Sequence, residues 1–447
     1  MIGKDLFEIY DFFLVPIYLI LIIYIANRIK SKNIIEYPEY KFFTYGLIVK
    51  LIGVSFFMLF YTVINETGDT VSYFLGSKAI SELIFKNFEA GVSVLFNNDN
   101  GFNNYNSFSI TETKPPFYIM KDENTFNVCR FCFPLYILSS GSFIITSFLT
   151  SIFSFIGLWK LYRLFNSQFP GNIKIFAYLI LFLPSTVFWG GGIMKDSFVL
   201  GACCFTVYNF FKIFIRKEKI FINIILLIIN FSIIINIKSY VAISMIPGMI
   251  IWANNSFLVS IKSSFVKVIT FPIIFMIIIG SGFLIFNNLS TLGLGQFENV
   301  DQTFQQAQII QQDLLRSEQY GSNSYHIGSL DGTFSNTLQL APSAIFTALY
   351  RPSVLEIGSP AMVISVVENL ILLLFSIYAL SKTNPFRLLK QIFSSPILTY
   401  SLIFTIIFGF GVGIASTNFG ALVRYRIPLI PFYFPLIYLI SKKKIIS

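Results

Sequence analysis

Asp69 is the first residue in this sequence suited to catalysis. It stands in Gly68-Asp69-Thr70-Val71-Ser72-Tyr73, just after a long apolar run. A carboxylate at a membrane surface can act as general base on a sugar hydroxyl. It can also cap a helix, since Asp before an apolar helix accepts from the first free N–H groups. The turn Trp189-Gly190-Gly191-Gly192-Ile193-Met194-Lys195-Asp196 comes next. Its glycines let backbone approach a ligand or a neighbouring helix. Lys195 and Asp196 then begin an apolar helix, where a helix N-terminus and an ammonium together favour phosphate. Lys238, in Ile237-Lys238-Ser239-Tyr240, reads as part of a very short hairpin. Arg351 precedes Pro352, with Glu356 shortly after, and Arg424 and Arg426 lie before the last apolar run. Arginine suits bidentate phosphate contacts. The plainer role for such basic residues is snorkelling from helix ends to the interface. Lys195, Asp196, Lys238, Arg351, Glu356, Arg424 and Arg426 are therefore expected to bind substrate, with Asp69 as the catalytic carboxylate.

Other residues carry less. Glu368 lies inside an apolar run, where a carboxylate is either functional or, with Asn369, a clamp between helices. Cys129 and Cys132 have the CxxC spacing of redox and zinc sites, but no second pair accompanies them. His326 is the only histidine, which argues against His-rich metal sites and Ser-His-Asp triads. No Walker A pattern is present. No cofactor is expected. A divalent ion at Asp69 is the one alternative.

The elements that must position these residues follow from composition. The chain has 447 residues, 55% hydrophobic and only 12% charged. A soluble protein carries about twice that charged fraction. In lipid the backbone must satisfy its own hydrogen bonds, so recurrent apolar runs are helices. Spans are expected at 9–28, 43–64, 139–160, 174–190, 197–215, 220–237, 239–256, 267–287, 360–380, 394–415 and 427–441. This makes an all-α, polytopic membrane bundle of about eleven spans, a single integral membrane domain over 1–447.

Charge orients it. The net charge is +10. Basic clusters follow the first and third spans (Arg28, Lys30, Lys32; Lys160, Arg163) and separate the fifth from the sixth (Lys212, Arg216, Lys217, Lys219). Others precede the eighth (Lys262, Lys267), separate the ninth from the tenth (Lys382, Arg387, Lys390) and close the chain (Lys442, Lys443, Lys444). With an odd span count and the N-terminus outside, every cluster lands in the cytoplasm, as the positive-inside rule requires. The same placement removes nucleic acid as an explanation of the charge. Two long segments, 65–138 and 288–359, then lie outside. The first is expected to hold an interfacial helix near 77–96 and an irregular stretch at 97–110; the second, an amphipathic helix at 299–319.

The two opening spans followed by Gly68-Asp69-Thr70-Val71-Ser72-Tyr73 resemble the start of O-antigen and exopolysaccharide polymerases of the Wzy and EpsG types. Those carry a Gly-x-Asp-Tyr-x-x-Tyr-like stretch there; Thr70 replaces the usual tyrosine. The resemblance implies counterparts of their glycan-holding outer arginines in Arg351, Arg424 and Arg426. More distantly, the acidic first outer loop resembles GT-C-type membrane glycosyltransferases, which use polyprenyl-phosphate sugars. The expected function is glycan assembly from polyprenyl-linked saccharide at the outer face of a bacterial plasma membrane. Membrane lipid is the other expected partner. The rival readings are a transporter or flippase of lipid-linked saccharide or a small anion, and a non-catalytic membrane subunit.

Overall fold

The computed structural model describes residues 6–64, 68–96, 102–253, 325, 327–328, 336, 339–358, 360–416 and 418–442. The span at 267–287, the helix at 299–319, His326 and the cluster Lys262/Lys267 lie outside the described residues. The described chain is helical throughout, and it forms two compact units, Met1–Ser239 and Tyr240–Ser447. Among the described residues, seven stretches are long and apolar enough to cross a membrane: Asp11–Asn33, Pro38–Ile64, Phe143–Gln168, Lys195–Arg216, Ile220–Ala253, Met362–Ser381 and Pro396–Ala415.

In the first unit, α1 (Asp11–Asn33) leaves almost its whole surface apolar and exposed, burying only Asp11 and Ala26. This suits contact with lipid. Helix α2 (Phe43–Leu59) packs on α8 (Phe143–Gln168), and α8 on α11 (Lys195–Phe211). Small residues let α8 and α11 approach closely: a Cβ on Gly157 would lie 2.5 Å from the Gly201 carbonyl oxygen. Lipid offers no hydrophobic gain for helix association, so such close van der Waals contact carries the packing.

The segment 65–138 is more ordered than expected. It holds α3 (Asp69–Lys86), α4 (Phe88–Phe96), α5 (Phe102–Ser107), α6 (Phe117–Lys121) and α7 (Glu123–Leu138). The helix expected at 77–96 is two helices, broken at Asn87, whose backbone is extended and whose side chain accepts from Ala90 N at 3.1 Å. The stretch expected to be irregular contains α5 and a 3-10 turn at Phe108–Ile110. Glu82 on α3 fastens the following turn, accepting from Glu112 N, Thr113 N and Thr113 Oγ1 at 2.9, 2.8 and 2.7 Å. Cys129 and Cys132 are free and buried, one turn apart on α7, with Cys129 against Gly76 of α3.

Two expected spans take other forms. The stretch 174–190 is not one helix. It comprises α9 (Ile173–Phe176), a π turn at Ala177–Leu181, a break, and α10 (Pro184–Phe188). Pro184 has no N–H and disfavours helix at the preceding residue, and Leu183 is extended accordingly. At Lys238, where a hairpin was expected, the backbone leaves helical dihedrals, φ −147° and ψ 78°, so that α12 (Ile220–Ala253) is two helices meeting at a kink.

Side-chain contacts sort the helix ends of the first unit. At one end Thr44 donates to Asn27 at 3.0 Å, Tyr40 packs on Trp159 at 5.1 Å, and Arg163 pairs with Glu39 at 3.3 Å. Lys160 and Lys212 both reach the Tyr208 ring there. At the other end Tyr18 donates to the Leu138 carbonyl, Phe74 packs on Phe143, and Lys195 meets Asp122. The basic clusters after α1, α8 and α11 thus share one end, and α3 to α7 gather at the opposite one.

In the second unit, α13 (Ala341–Tyr350) packs on α16 (Pro396–Ala415) so closely that a Cβ on Gly413 would lie 2.1 Å from the Ala344 oxygen. Among the described residues it also holds α14 (Pro360–Ser381), α15 (Pro385–Phe393), α17 (Phe419–Tyr425) and α18 (Ile430–Ser441). The last expected span, 427–441, shortens to the 12 residues of α18, because the chain turns from Arg426 to Leu429 before entering it.

Candidate functional site

Lys195 begins α11, brought to α7 by the packing of α11 on α8 and of α8 on α7. Its Nζ donates to Thr125 Oγ1 at 2.6 Å and to Asp122 Oδ2 at 3.2 Å. Thr125 Oγ1 in turn donates to the same Asp122 oxygen. Asp122 is also the N-cap of α7, accepting from Asn124 N at 3.2 Å. Burial alone would push its carboxyl up, but the Lys195 ammonium and the Thr125 and Asn124 donors outweigh this and hold it below the usual range. Its side chain is 46% exposed, so the network opens to solvent.

Asp69 is in the first turn of α3, close enough for its charge to act on Lys195 and on Tyr118. Tyr118 donates to Ser72 at 2.7 Å. Burial pushes this phenol up, and the Asp69 carboxylate adds to it. Asp196, next to Lys195, is buried and accepts from Lys238 Nζ at 2.5 Å. Asp69, Lys195, Asp196 and Lys238 are therefore gathered at the end of the first unit away from the basic clusters. The glycine turn serves helix packing: a Cβ on Gly192 would meet the Phe57 ring at 2.0 Å, and one on Gly190 would meet Leu200 and the Thr186 oxygen at 2.6 Å.

The second unit holds the arginines. Arg351 follows α13 and pairs with Glu356, donating from Nε at 2.9 Å and also from Nη2. Its guanidinium lies over the rings of Tyr325 and Phe419, at 4.7 and 5.2 Å. Glu356 is fixed by a capping box, accepting from Ser353 N at 2.8 Å and Ser353 Oγ at 2.9 Å. Burial would raise the Glu356 carboxyl, yet Arg351 and Ser353 hold it below the usual range. Two open cavities border Arg351. One, of about 520 Å³, includes Ser343, Phe346 and Thr347; the other, of about 380 Å³, includes Tyr325, Glu356 and Phe419.

Arg426 is completely buried and does not line either cavity. Its Nη1 donates to the carbonyls of Ala348, Leu349 and Arg351 at 3.1, 3.4 and 3.0 Å, and Nη2 to Asn369 Oδ1. These carbonyls close the C-terminal end of α13, where helix oxygens lack partners and cations are favoured. Asn369 donates to the Pro352 carbonyl at 2.9 Å, so it clamps α14 to the Arg351 loop, and buried Glu368 beside it balances Arg426 electrostatically. Arg424 lies in the last turn of α17.

In each unit these cations are treated alike. Lys195 meets Asp122, Lys238 meets Asp196, Arg351 meets Glu356, and Arg426 meets carbonyls and an amide.

Sequence reasoning passed over Lys50, Asp122, Thr125 and Tyr325. Lys50 interrupts the run Gly46-Leu47-Ile48-Val49-Lys50-Leu51, which was signal enough for an intramembrane charge. It is buried, and Nζ donates to the Thr186 carbonyl at 2.6 Å, just after the break that begins α10. Asp122 and Thr125 read locally only as a helix start, and nothing near Tyr325 in sequence points to Arg351. Among the described residues no three His, Cys, Asp or Glu side chains gather as a metal site.

Seven such stretches among the described residues define a multi-pass α-helical membrane protein. No protein-family model, no curated protein and no solved structure matches the chain.

Proposed function

We propose that this protein is a glycan-assembly enzyme, a glycosyltransferase or polysaccharide polymerase. It would act on polyprenyl-linked sugars at the outer face of a bacterial plasma membrane, with its N-terminus outside and its C-terminus in the cytoplasm. The observation that carries the reading is the half-exposed network of Asp122, Thr125 and Lys195 beside Asp69, at the end of the first unit opposite the basic clusters. The positive-inside rule puts those clusters in the cytoplasm and this network outside. Carboxylates there can take a proton from an acceptor hydroxyl, and Lys195 can offset charge growing on a leaving phosphate. The lysine is partnered in the resting state, so substrate must draw it from Asp122 or use its remaining N–H.

The test is glycan amount and length in a deletion strain complemented with variants at matched protein level. Gly68, not Asp69, is the N-cap of α3, so Asp69→Asn leaves the cap in place, keeps the side-chain shape and removes the base. Loss of a donor to developing charge costs about 10²–10³ in rate. Asp69→Asn and Lys195→Met are expected to remove most product. Wild-type product from both would end the proposal.

A second reading, transport of a lipid-linked saccharide or small anion, is favoured by one feature. Lys50 is buried against the broken stretch 173–188, and discontinuous helices with intramembrane charge are common in transporters.

A further inference from the structure

The connection between α14 and α16 carries a helix of its own. The chain leaves helical conformation from Lys382 to Asn384, and Asn384 Oδ1 then accepts from Arg387 N at 2.7 Å as the N-cap of α15. Pro385 takes the first helical position, where a missing N–H costs nothing. Helical spacing puts Phe386, Leu389 and Phe393 on one side, with Ile392 beside them, and Arg387, Lys390 and Gln391 on the other. Ile392 is buried, and α15 packs on α16 and α18. At the edge of the apolar side, next to Lys390, Phe386 is 57% exposed.

Two lysines mark the depth of this helix. Helix α14 leads from Tyr378 to Lys382, and α18 from Tyr438 to Lys442. In each case the ammonium lies over the ring four residues back, at 5.5 and 4.9 Å. Tyrosine with lysine at a helix end sits at headgroup level. Gln391 of α15 donates to the Lys442 carbonyl at 3.0 Å, which ties α15 to that level. A short amphipathic helix there lies in the interface instead of crossing the bilayer.

The charge at this end is uncompensated. In the first unit Arg163 pairs with Glu39 at 3.3 Å and Lys212 with Glu218 at 2.5 Å. In the second unit no such partner is encoded: the chain holds no Asp or Glu from Asn369 to Ser447, nor from Lys219 to Phe297. Lys382 and Lys390 are exposed, and Lys443 and Lys444 follow Lys442 in sequence. The positive-inside rule asks only for cations near helix ends. It does not ask for an interfacial helix with an exposed aromatic edge among them.

We propose that α15 and the lysines around it form a binding platform for anionic phospholipid headgroups, with Lys382 and Lys390 meeting the phosphates and Phe386 set against the acyl chains. Charge complementarity and the headgroup depth of the helix choose this occupant. Lipid binding of this kind does not depend on the glycan-assembly reading.

The test is native mass spectrometry of the full chain in detergent, titrated with dioleoyl phosphatidylglycerol or dioleoyl phosphatidylcholine. Each Lys or Arg near an anionic membrane surface contributes about fivefold in affinity. The wild type should therefore prefer phosphatidylglycerol by about tenfold or more. Lys382→Gln with Lys390→Gln should weaken phosphatidylglycerol about 25-fold and leave phosphatidylcholine unchanged. Phe386→Ser keeps the charges and should also weaken phosphatidylglycerol. Lys30→Gln with Lys32→Gln removes the same charge from the end of α1 and should leave the preference in place. On the wild type, added salt should shrink the preference, and inorganic phosphate should not displace the lipid. These two arms and Phe386→Ser decide the matter if the double lysine variant fails to accumulate. Equal binding of the two lipids, binding unchanged by Lys382→Gln with Lys390→Gln, equal loss from the α1 variant, or displacement by inorganic phosphate would each overturn the platform.

Discussion

Lys238 and Asp196 show what burial demands of single charged residues. Their side chains are 6% and 1% exposed, and the pair is closed at 2.5 Å. Removing one partner of a buried pair leaves an uncompensated charge and costs about 3–5 kcal/mol, whereas replacing both by apolar groups is often neutral. Lys238→Met is accordingly expected to lower thermal stability in detergent by several kcal/mol, and Lys238→Met with Asp196→Leu to recover most of it. A double-mutant cycle measures the coupling. If the single variant melts like the wild type, the pair is not a structural tie. Arg426 follows the same logic with different partners. Its type and its place before the last apolar run suggested a phosphate ligand. Its burial against the carbonyls closing α13 instead gives it a structural task that no local pattern announces.

Among elements, the broken stretch 173–188 and the glycine turn after it act together. Pro184 ends the first half-helix, α10 follows, and Gly190 to Gly192 then fold against α2. Gly192 has no room for a side chain, because a Cβ there would sit 2.0 Å from the Phe57 ring. Overpacking of this kind costs about 1–3 kcal/mol. Gly192→Ala should therefore lower the melting temperature in detergent, while Gly411→Ala, with open space around the added carbon, should leave it unchanged or raised. Equal melting of the two variants would contradict the close packing of this turn on α2. The turn was legible as a close approach of backbone to a neighbour. That the neighbour is α2 was not, since Phe57 and Gly192 are remote in sequence.

At the scale of the whole molecule, orientation is the decisive question, because the proposed reaction on lipid-linked sugar belongs to the outer face alone. The four cysteines are all buried, so a single introduced thiol can report on either end without background. Asn106→Cys, exposed on α5, is expected to react with an impermeant maleimide in intact cells. Lys32→Cys, exposed at the end of α1, is expected to react only after lysis. Labelling of Lys32→Cys in intact cells would reverse the topology and remove the outer-face site with it. The span count also belongs to this scale. Hydropathy alone reads eleven runs, but it cannot tell a crossing helix from apolar chain that breaks, kinks or shortens within the bundle, as 174–190, Lys238 and 427–441 do.

By itself the sequence determined the class. Its apolar runs must satisfy their own backbone bonds in lipid, so helix follows from composition and length alone. It also determined which residues were out of place, because a charge beside an apolar run is visible without any structure, as Asp69, Lys195 and Arg351 were. Tertiary structure decided what those charges meet. Lys195 and Asp122, 73 residues apart, pair because α8 holds α7 and α11 together. Tyr325 and Phe419 flank Arg351 through contacts that no local spacing encodes. Local pattern fixes periodicity and charge; only the packing of distant helices fixes which charges are neutralised, and so which ligand each site can take.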